Sequence, residues 1–254
     1  MIKLENITYI YKGQKIINAI NAEIFPGEIV GIIGPASSGK TTLLKIISGI
    51  VHPTEGSLYI NNEKLKQKKR NSSIASLLEK IVPYSEDTVR NFLLLGRLPL
   101  KKFLHSYSHY DKQLIEDLLS SFKLNKYSES LIGDLSEGIL QRLLLAYVFT
   151  KETSIVIADN PTDRLDLESR VNISRILIKY VMGGDRCFVM ASNDLNFIAQ
   201  TCDRLIILNE GIIVKQGGPE IITPENLKKY FSVDVLITKN IYNGKPEIHF
   251  FPGN

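Results

Sequence analysis

The stretch GPASSGKTT, Gly34 to Thr42, has the residue types and spacing of a phosphate-binding loop. It matches the pattern G-x-x-x-x-G-K-[ST] completely, with Lys40 and Thr41 at the last two positions. In such a loop backbone N–H groups surround phosphate oxygens, the lysine reaches the β and γ phosphates, and the hydroxyl binds Mg²⁺. The residues predicted to contact the nucleotide here are Gly34, Ser37, Ser38, Gly39, Lys40, Thr41 and Thr42.

The segments on either side of this loop support a ligand site. The apolar run EIVGIIGP before it predicts a buried strand, and KTTLLKIISGI after it predicts a helix that stops near Gly49. A strand, a glycine-rich loop and a helix in this order are the context in which the pattern binds phosphate. A glycine-rich turn that binds nothing is the weaker alternative.

A second chemical signal is SIVIADNPTDRLD, Ser154 to Asp166. An apolar run ends at Asp159, as a buried strand ends at a carboxylate that holds Mg²⁺ beside a phosphate loop. A helix-capping role for Asp159 is the alternative, and the accompanying phosphate loop makes it weaker. The next residue is Asn160, where a phosphate-hydrolysing site is expected to have a second acid.

The elements that position these motifs alternate between strand and helix patterns. SIVIAD and RCFVMAS predict strands separated by a helix between Leu165 and Val181, and the stretch from Thr88 to Thr150 is mostly helical in period. We therefore predict an α/β doubly wound core interrupted by a helical insertion. RLIILNEGIIVKQGG predicts a hairpin about a glycine turn, and VDVLITKNIYNGKPEIHFF predicts another about Asn243 and Gly244.

Composition and charge limit the possible classes of protein. The 254 residues, 44% of them hydrophobic, suffice for one large domain or a domain with a small appendage. A net charge of +4 does not by itself imply nucleic acid, and the basic run from Lys64 to Arg70 is predicted to be a solvated loop. Cys187 and Cys202 lack the neighbours of a zinc or disulfide site. No segment has the apolar length of a membrane span, so any membrane attachment is expected to come through a partner.

Beyond these motifs, the chain resembles the ATP-binding-cassette ATPases over nearly its whole length. LSEGILQRLLLA, Leu135 to Ala146, is similar to the family's LSGGQ signature, and TDRLD, Thr162 to Asp166, is similar to its D-loop. Tyr11 stands where the family has an aromatic residue that stacks on adenine. TVRNFLLLGRLP and the tail FSVDVLITKNIYNGKPEIHFF are similar to the ATPase subunits of importers for ferric siderophores, haem and cobalamin.

The resemblance implies a P-loop NTPase core with an N-terminal antiparallel β subdomain and a helical signature subdomain. The cassette domain would cover residues 1–230, with the helical subdomain at about 84–150 and a short β extension at 231–254. ATP and Mg²⁺ would be the cofactors, each ATP lying between one phosphate loop and Ser136 and Gly138 of a second cassette. A transmembrane permease would hold the subunit at the cytoplasmic face of the membrane, and no nucleic acid is expected.

The chain departs from the family pattern at four places that surround the γ-phosphate. Asn160 replaces the catalytic Glu, Asn193 replaces the switch His, Glu79 replaces the Q-loop Gln, and Glu137 and Ile139 alter the signature. An amide cannot accept the proton of the attacking water at neutral pH, and a general base contributes about 10²–10⁴-fold to a rate. Taken singly, each change has an ordinary explanation: asparagine suits turns, Glu137 can face solvent and Ile139 can pack. Together they predict that ATP binding is kept and hydrolysis is weak.

Two classes of function remain open on these residues. The chain is either an importer subunit that hydrolyses ATP slowly, or a non-hydrolytic module such as one half of a heterodimer with an intact cassette. Glu79 could act as a displaced base or bind the metal directly, but the loss of the switch His favours the second class. A soluble cassette protein of DNA repair or translation is the third and weakest alternative, since the chain lacks the long insertions or paired cassettes of those proteins.

Overall fold

The computed structural model describes residues 1–65, 71–78, 83–98 and 106–251. Glu79 and most of the basic run, residues 66–70, lie outside these ranges, so the predictions that concern them are not tested by the structure. Over the described ranges no helix combines the length and the apolar character that crossing a membrane requires.

The described chain alternates strands and helices along most of its length. The strands are β1 (Ile2–Tyr11), β2 (Gln14–Ile24), β3 (Ile29–Ile33), β4 (Glu55–Ile60), β5 (Glu63–Lys64), β6 (Ile74–Leu77), β7 (Ile155–Asp159), β8 (Cys187–Ala191), β9 (Arg204–Asn209), β10 (Ile212–Gly217), β11 (Val235–Lys239) and β12 (Pro246–Phe250). The α-helices are α1 (Lys40–Ile47), α2 (Val89–Leu95), α3 (His109–Ser121), α4 (Glu137–Phe149), α5 (Leu167–Val181), α6 (Leu195–Thr201) and α7 (Pro224–Phe231). Short 3₁₀ turns lie at Asn125–Tyr127, Ile132–Asp134 and Pro219–Ile221.

A six-stranded sheet in the order β10-β9-β3-β8-β7-β6 forms the centre of the fold. Its strands are parallel except β10, which pairs antiparallel with β9. β3 and β8 are buried at every residue, because helices or a second sheet cover both faces. Continuous apolar runs such as IVGII and CFVMA are what a two-sided core requires.

Each strand of the central sheet contributes side chains to two separate cores. Ile29 and Ile33 of β3 join a core with helices α2 to α6, whereas Val30 and Ile32 join a core with α1 and the N-terminal strands. The second core is closed by an antiparallel sheet in the order β2-β1-β4-β5. The predicted α/β core with an N-terminal antiparallel subdomain is confirmed.

Polar side chains set the starts of the helices in the helical part of the chain. The hydroxyl of Thr88 accepts a hydrogen bond from the Asn91 N–H at the start of α2. Ser108 and Asp111 form a reciprocal capping box at the start of α3. These caps satisfy N–H groups that have no partner inside the helix. The stretch that was predicted to be mostly helical thus contains α2, α3 and α4.

The C-terminal hairpin forms as predicted but turns about a different pair of residues. β11 and β12 pair antiparallel with Ile237 opposite Ile248 and Lys239 opposite Pro246. This register centres the connection between Tyr242 and Asn243, one residue before the predicted Asn243–Gly244 centre. Asn240 closes the connection by donating its N–H to the Lys245 carbonyl and accepting from the Gly244 N–H, which makes the loop longer than a two-residue turn.

A buried arginine ties the three helices of the helical part together. Arg97, just beyond α2, is 6% exposed, and its Nε donates to Asp111 Oδ1 of α3 at 2.8 Å. Its Nη1 donates to the Thr150 carbonyl at 2.6 Å and to Glu152 Oε2 at 2.8 Å, both just beyond α4. Removing one member of a buried ion pair lowers stability strongly, because the remaining charge is then buried without a partner.

We predict that Arg97→Ala lowers the free energy of unfolding by about 3–5 kcal/mol, because Asp111 keeps its charge without its buried partner. Urea unfolding followed by circular dichroism measures this loss.

Arg90→Ala is the matched control for the loss of an arginine. Arg90 also holds two carboxylates, Glu116 and Glu129, but all three side chains are at least 32% exposed. Exposed pairs contribute up to about 1 kcal/mol each. Equal losses in the two variants would contradict a special role for burial at Arg97, whereas failure of Arg97→Ala alone to fold would agree with it.

Candidate functional site

The motifs found in the sequence meet at one edge of the central sheet. β3 leads into the phosphate loop, β7 ends at Asp159, and β8 leads to Ser192 and Asn193. These three strands are parallel neighbours in the order β3-β8-β7, so their carboxyl ends lie side by side. Ligands of open parallel sheets bind at this edge.

The phosphate loop folds around the side chain of Lys40, the first residue of α1. Its Nζ donates to the carbonyls of Gly34 at 2.7 Å and Pro35 at 2.9 Å. Partial burial lowers the pKa of Lys40, while the charge of Asp159 acts in the opposite direction. The ammonium group is thus held inside the loop on carbonyl oxygens, in the position from which it can turn to phosphate oxygens.

Backbone conformation explains the small residues of this loop. A Cβ at Gly34 would come within 2.1 Å of the Leu208 carbonyl oxygen, so the loop can lie against β9 only with glycine there. Gly39 has φ 101° and caps α1, a conformation open to glycine. Ser37 has φ 61°, in the left-handed region, which costs a non-glycine residue about 1–3 kcal/mol. Strain of this kind is typical of functional loops.

Two observations fit a nucleotide with its metal. Ser38 is 3% exposed, and its Oγ has no hydrogen-bond partner within the described chain. The hydroxyl of Thr41 in α1 donates to Asp159 Oδ2 at the end of β7 at 2.5 Å, so the two proposed Mg²⁺ ligands lie together. No cluster of three His, Cys, Asp or Glu side chains occurs in the described ranges that could hold a metal without help. Mg²⁺ is commonly bound by one or two protein groups with phosphates and waters, which suits this pair.

Asn160 occupies a position that favours asparagine for backbone reasons as well. Its φ of 49° lies in the left-handed region, where asparagine is enriched among non-glycine residues. Its N–H donates to the Ala191 carbonyl at 2.8 Å, joining the ends of β7 and β8. The side-chain Oδ1 is buried and has no partner among the described residues. This oxygen can accept a hydrogen bond from a water but cannot take its proton.

The segment that contains Asn193 is held in place by the next residue, Asp194. Asp194 caps α6 by accepting from the Phe197 N–H at 3.0 Å, and it pairs with Arg170 of α5 at 2.6 Å. Arg170 also donates to the Leu165 carbonyl at 3.0 Å, which connects this segment to the D-loop. Asn193 itself is exposed at the edge of the sheet.

The signature segment begins α4 and presents an unused hydroxyl. Ser136 is the N-cap residue of α4 and is exposed, but its side chain makes no capping hydrogen bond. The N-terminus of a helix attracts anions through its free N–H groups and its dipole. Ile139, one turn further on, packs against the core rather than facing out.

Glu137 of the signature forms an ion pair with the D-loop. Arg164 of the D-loop donates from Nη1 to Glu137 Oε1 at 2.8 Å, and both side chains are more than half exposed. A Cβ at Gly138 would lie 3.0 Å from the Arg164 carbonyl oxygen. The D-loop therefore lies directly on the first turn of α4 and balances the charge that Glu137 adds to the signature.

Sequence reasoning missed the residues that link these two segments. Gln141 of α4 donates from Nε2 to the Pro161 carbonyl at 3.1 Å, and Arg164 pairs with Glu137. The spacing of Glu137 and Gln141, one turn apart on one helix face, was the available signal. Nothing in the sequence paired that face with the D-loop.

Three predicted site residues remain to be placed: Tyr11, Thr42 and Glu79. Tyr11 ends β1 and is 54% exposed, and Lys12 Nζ lies over its ring, 5.6 Å from the ring centre. Thr42 follows Thr41 in the first turn of α1. Glu79 lies outside the described residues. The structure thus brings the phosphate loop, Asp159, Asn160 and Asn193 to one edge, while Ser136 begins α4 and Gly138 lies against the D-loop at Arg164.

Comparison with known proteins agrees with this arrangement. The family described as ABC transporter matches residues 17–163. An uncharacterized ABC transporter ATP-binding protein of Methanocaldococcus jannaschii is 31% identical over 93% of both chains. The iron(3+)-hydroxamate import ATP-binding protein FhuC of Bacillus subtilis is 30% identical over 93% of this chain and 89% of its own.

Among solved structures, a dimeric ATP-binding cassette in a post-hydrolysis state, bound to ADP and Pi, superposes with a TM-score of 0.74. It is 27% identical, and the match covers 86% of this chain and 98% of that one. The family match covers more than half of the chain and ends within the D-loop, so it includes the phosphate loop, the signature and Asp159. The chain belongs to the ABC transporter family and is one of its ATP-binding subunits.

Proposed function

We propose that this chain is the ATP-binding subunit of an importer of the iron-siderophore, haem or cobalamin type, and that it binds MgATP but hydrolyses it weakly. The observation that carries the proposal is the complete phosphate loop beside Asp159, with an asparagine at the next position. The solute class is supported by the similarity to the iron(3+)-hydroxamate import protein and by the similar C-terminal tail.

Binding follows from the groups at the edge of the sheet. The phosphates of ATP would take the place of the Gly34 and Pro35 carbonyls on Lys40 and would satisfy the buried Ser38 hydroxyl. Thr41 and Asp159 would hold Mg²⁺, which neutralises charge on the β and γ phosphates when it is bound. Tyr11, exposed at the end of β1, would stack on the adenine ring.

Weak hydrolysis follows from the same geometry. A water that donates a hydrogen bond to Asn160 Oδ1 would be oriented by it. The amide oxygen cannot accept a proton from that water at neutral pH. Asn193 is a shorter side chain than histidine on a segment that Asp194 and Arg170 hold in place, so it cannot move closer to the γ-phosphate without breaking those bonds. ATP would therefore stay bound longer than it does in a site with both groups.

The subunit would work as a dimer on a membrane permease. Ser136 and the first turn of α4 would close on the nucleotide of a second cassette, and the Glu137–Arg164 pair would keep that surface near neutral. An intact cassette as the partner would add one site that has both Glu and His. Attachment to the permease would place the chain at the cytoplasmic face of the membrane.

We predict that the purified chain binds MgATP and that Lys40→Ala weakens the affinity about 10- to 100-fold, since one charge-assisted contact to the phosphates is lost. Asn160→Ala leaves the affinity close to that of the parent. Isothermal titration calorimetry with MgATP measures both.

Lys215→Ala, which removes an exposed lysine from β10, controls for the loss of charge. If Lys40→Ala bound ATP as well as Lys215→Ala did, or if the parent bound none at millimolar nucleotide, the assignment of the phosphate loop would be wrong.

We predict that the parent turns over ATP no faster than Lys40→Ala does, because it has no group to accept the proton. Asn160→Glu together with Asn193→His is needed to create turnover, and the pair raises the rate by about 10²-fold or more. Phosphate release measured at saturating MgATP follows these rates.

Glu79→Gln separates the non-hydrolytic module from a site with a displaced base. We expect this change to leave the low parental rate unaltered. Robust turnover by the parent that disappears in Glu79→Gln would show instead that Glu79 is the base.

A further inference from the structure

The C-terminal hairpin is held against the core along one edge. The side chain of Asn196 in α6 donates to the Ile248 carbonyl at 2.9 Å and accepts from the Ile248 N–H at 2.8 Å. Gln200, one turn later, donates to the Pro246 carbonyl at 2.9 Å. The outer edge of β12 is therefore already occupied by α6.

These contacts show which backbone groups of β11 face outward. In an antiparallel pair, residues that point their N–H and C=O away from the partner strand lie opposite each other. Ile248 bonds outward to Asn196, so Ile237, directly opposite, also points its N–H and C=O away from β12. Val235 and Lys239, two residues to either side, do the same by alternation.

The outer edge of β11 has no partner within the described chain. β12 is its only neighbouring strand, and no hydrogen bond of the described residues ends on the backbone of Val235, Ile237 or Lys239. An open strand edge of this kind is a template for another strand. A strand added here would gain main-chain hydrogen bonds.

The hairpin also exposes apolar side chains that the rest of the chain does not cover. Leu236 is 58% exposed on the face that points away from the core. Ile241 and Tyr242, in the connection between the two strands, are 88% and 91% exposed, more than any other large hydrophobic side chain in the described ranges. Apolar side chains grouped in this way mark an interaction surface.

We propose that β11 pairs with β11 of a second copy of this chain, antiparallel and centred on Ile237, to form a four-stranded sheet across a two-fold axis. In this register Leu236 lies opposite Thr238 of the second copy, and Val235 lies opposite Lys239. The connection that carries Ile241 and Tyr242 runs alongside residues 231–234 of the other copy. The apolar side chains at both ends are covered by the same pairing.

Like-charge repulsion favours the antiparallel over the parallel orientation of two copies. Lys239 is the only charged residue of β11, and antiparallel pairing separates the two copies of it by four residues, or about 13 Å along the sheet. Parallel pairing would place the two lysines side by side, where like charges are destabilising. In this isologous arrangement the free N–H and C=O groups of β11 pair with the same groups of β11 in the second copy.

The contact is small and does not involve the nucleotide. An interface of one short strand pair and two loops lies below about 1,200 Å², at the low end of specific interfaces, so the dimer depends on protein concentration. It forms without ATP, and its failure would leave the proposed binding and hydrolysis untouched.

Two double variants that share Thr238→Lys test the register. Leu236→Glu with Thr238→Lys places opposite charges across the pairing at both ends, whereas Leu236→Lys with Thr238→Lys places like charges there. In both variants Thr238→Lys faces Glu247 of its own hairpin in the same way. Sedimentation velocity of the full chain in EDTA, without nucleotide, is expected to show a concentration-dependent dimer for the parent and the first variant and a monomer for the second.

Cysteine cross-linking provides a second measurement. A mixture of Leu236→Cys chains and Thr238→Cys chains is expected to form a disulfide-linked dimer under mild oxidation, while either variant alone forms much less. The native Cys187 and Cys202 are buried and do not compete.

A monomeric parent at all concentrations, or equal association of the two double variants, would overturn the proposal. So would cross-linking that is no greater in the mixture than in the single variants. A parent that stays monomeric but loses a permease complex in both double variants would assign the edge to the permease instead.

Discussion

The burial of β3 on both faces is the constraint on which the rest of the structure depends. The strand is covered on one face by α1 and the N-terminal sheet and on the other by helices, as strands inside a parallel sheet are. Its neighbours β8 and β9 run in the same direction, as does β7 beyond β8, so the phosphate loop, Asp159 and Asn193 lie at one edge. Gly34 then lets the phosphate loop lie against the Leu208 carbonyl, which fixes the cradle relative to β9.

The unusual residues of this cassette fit their surroundings without distorting them. Asn160 adopts a left-handed conformation that asparagine tolerates, Ile139 packs into the core, and Glu137 is balanced by Arg164. Each of these three residues is therefore compatible with the folded structure around it. Under the proposed function the chemical cost falls on the step that needs a proton acceptor, while Lys40, Thr41 and Asp159, the residues proposed to hold phosphate and metal, keep the expected types.

Two connections tie the nucleotide edge to more distant parts of the molecule. Arg170 bonds to the Leu165 carbonyl and to Asp194, so the D-loop and the segment of Asn193 share one side chain. Asp194 caps α6, and Asn196 and Gln200 of that helix hold the C-terminal hairpin. These contacts connect the segment of Asn193 through α6 to β12, which pairs with β11.

The sequence by itself determined the strand, loop and helix of the phosphate-loop motif, since a loop motif between an apolar strand and a helix specifies its own backbone. It also indicated the α/β class, because apolar runs and helical periods alternate regularly along the chain. Only the tertiary structure decided that Arg164 neutralises Glu137, that Asn160 Oδ1 is buried without a partner, and that the two edges of the hairpin differ. Each of these depends on which segments lie side by side after folding, and long-range side-chain pairing leaves no periodic pattern in a single sequence.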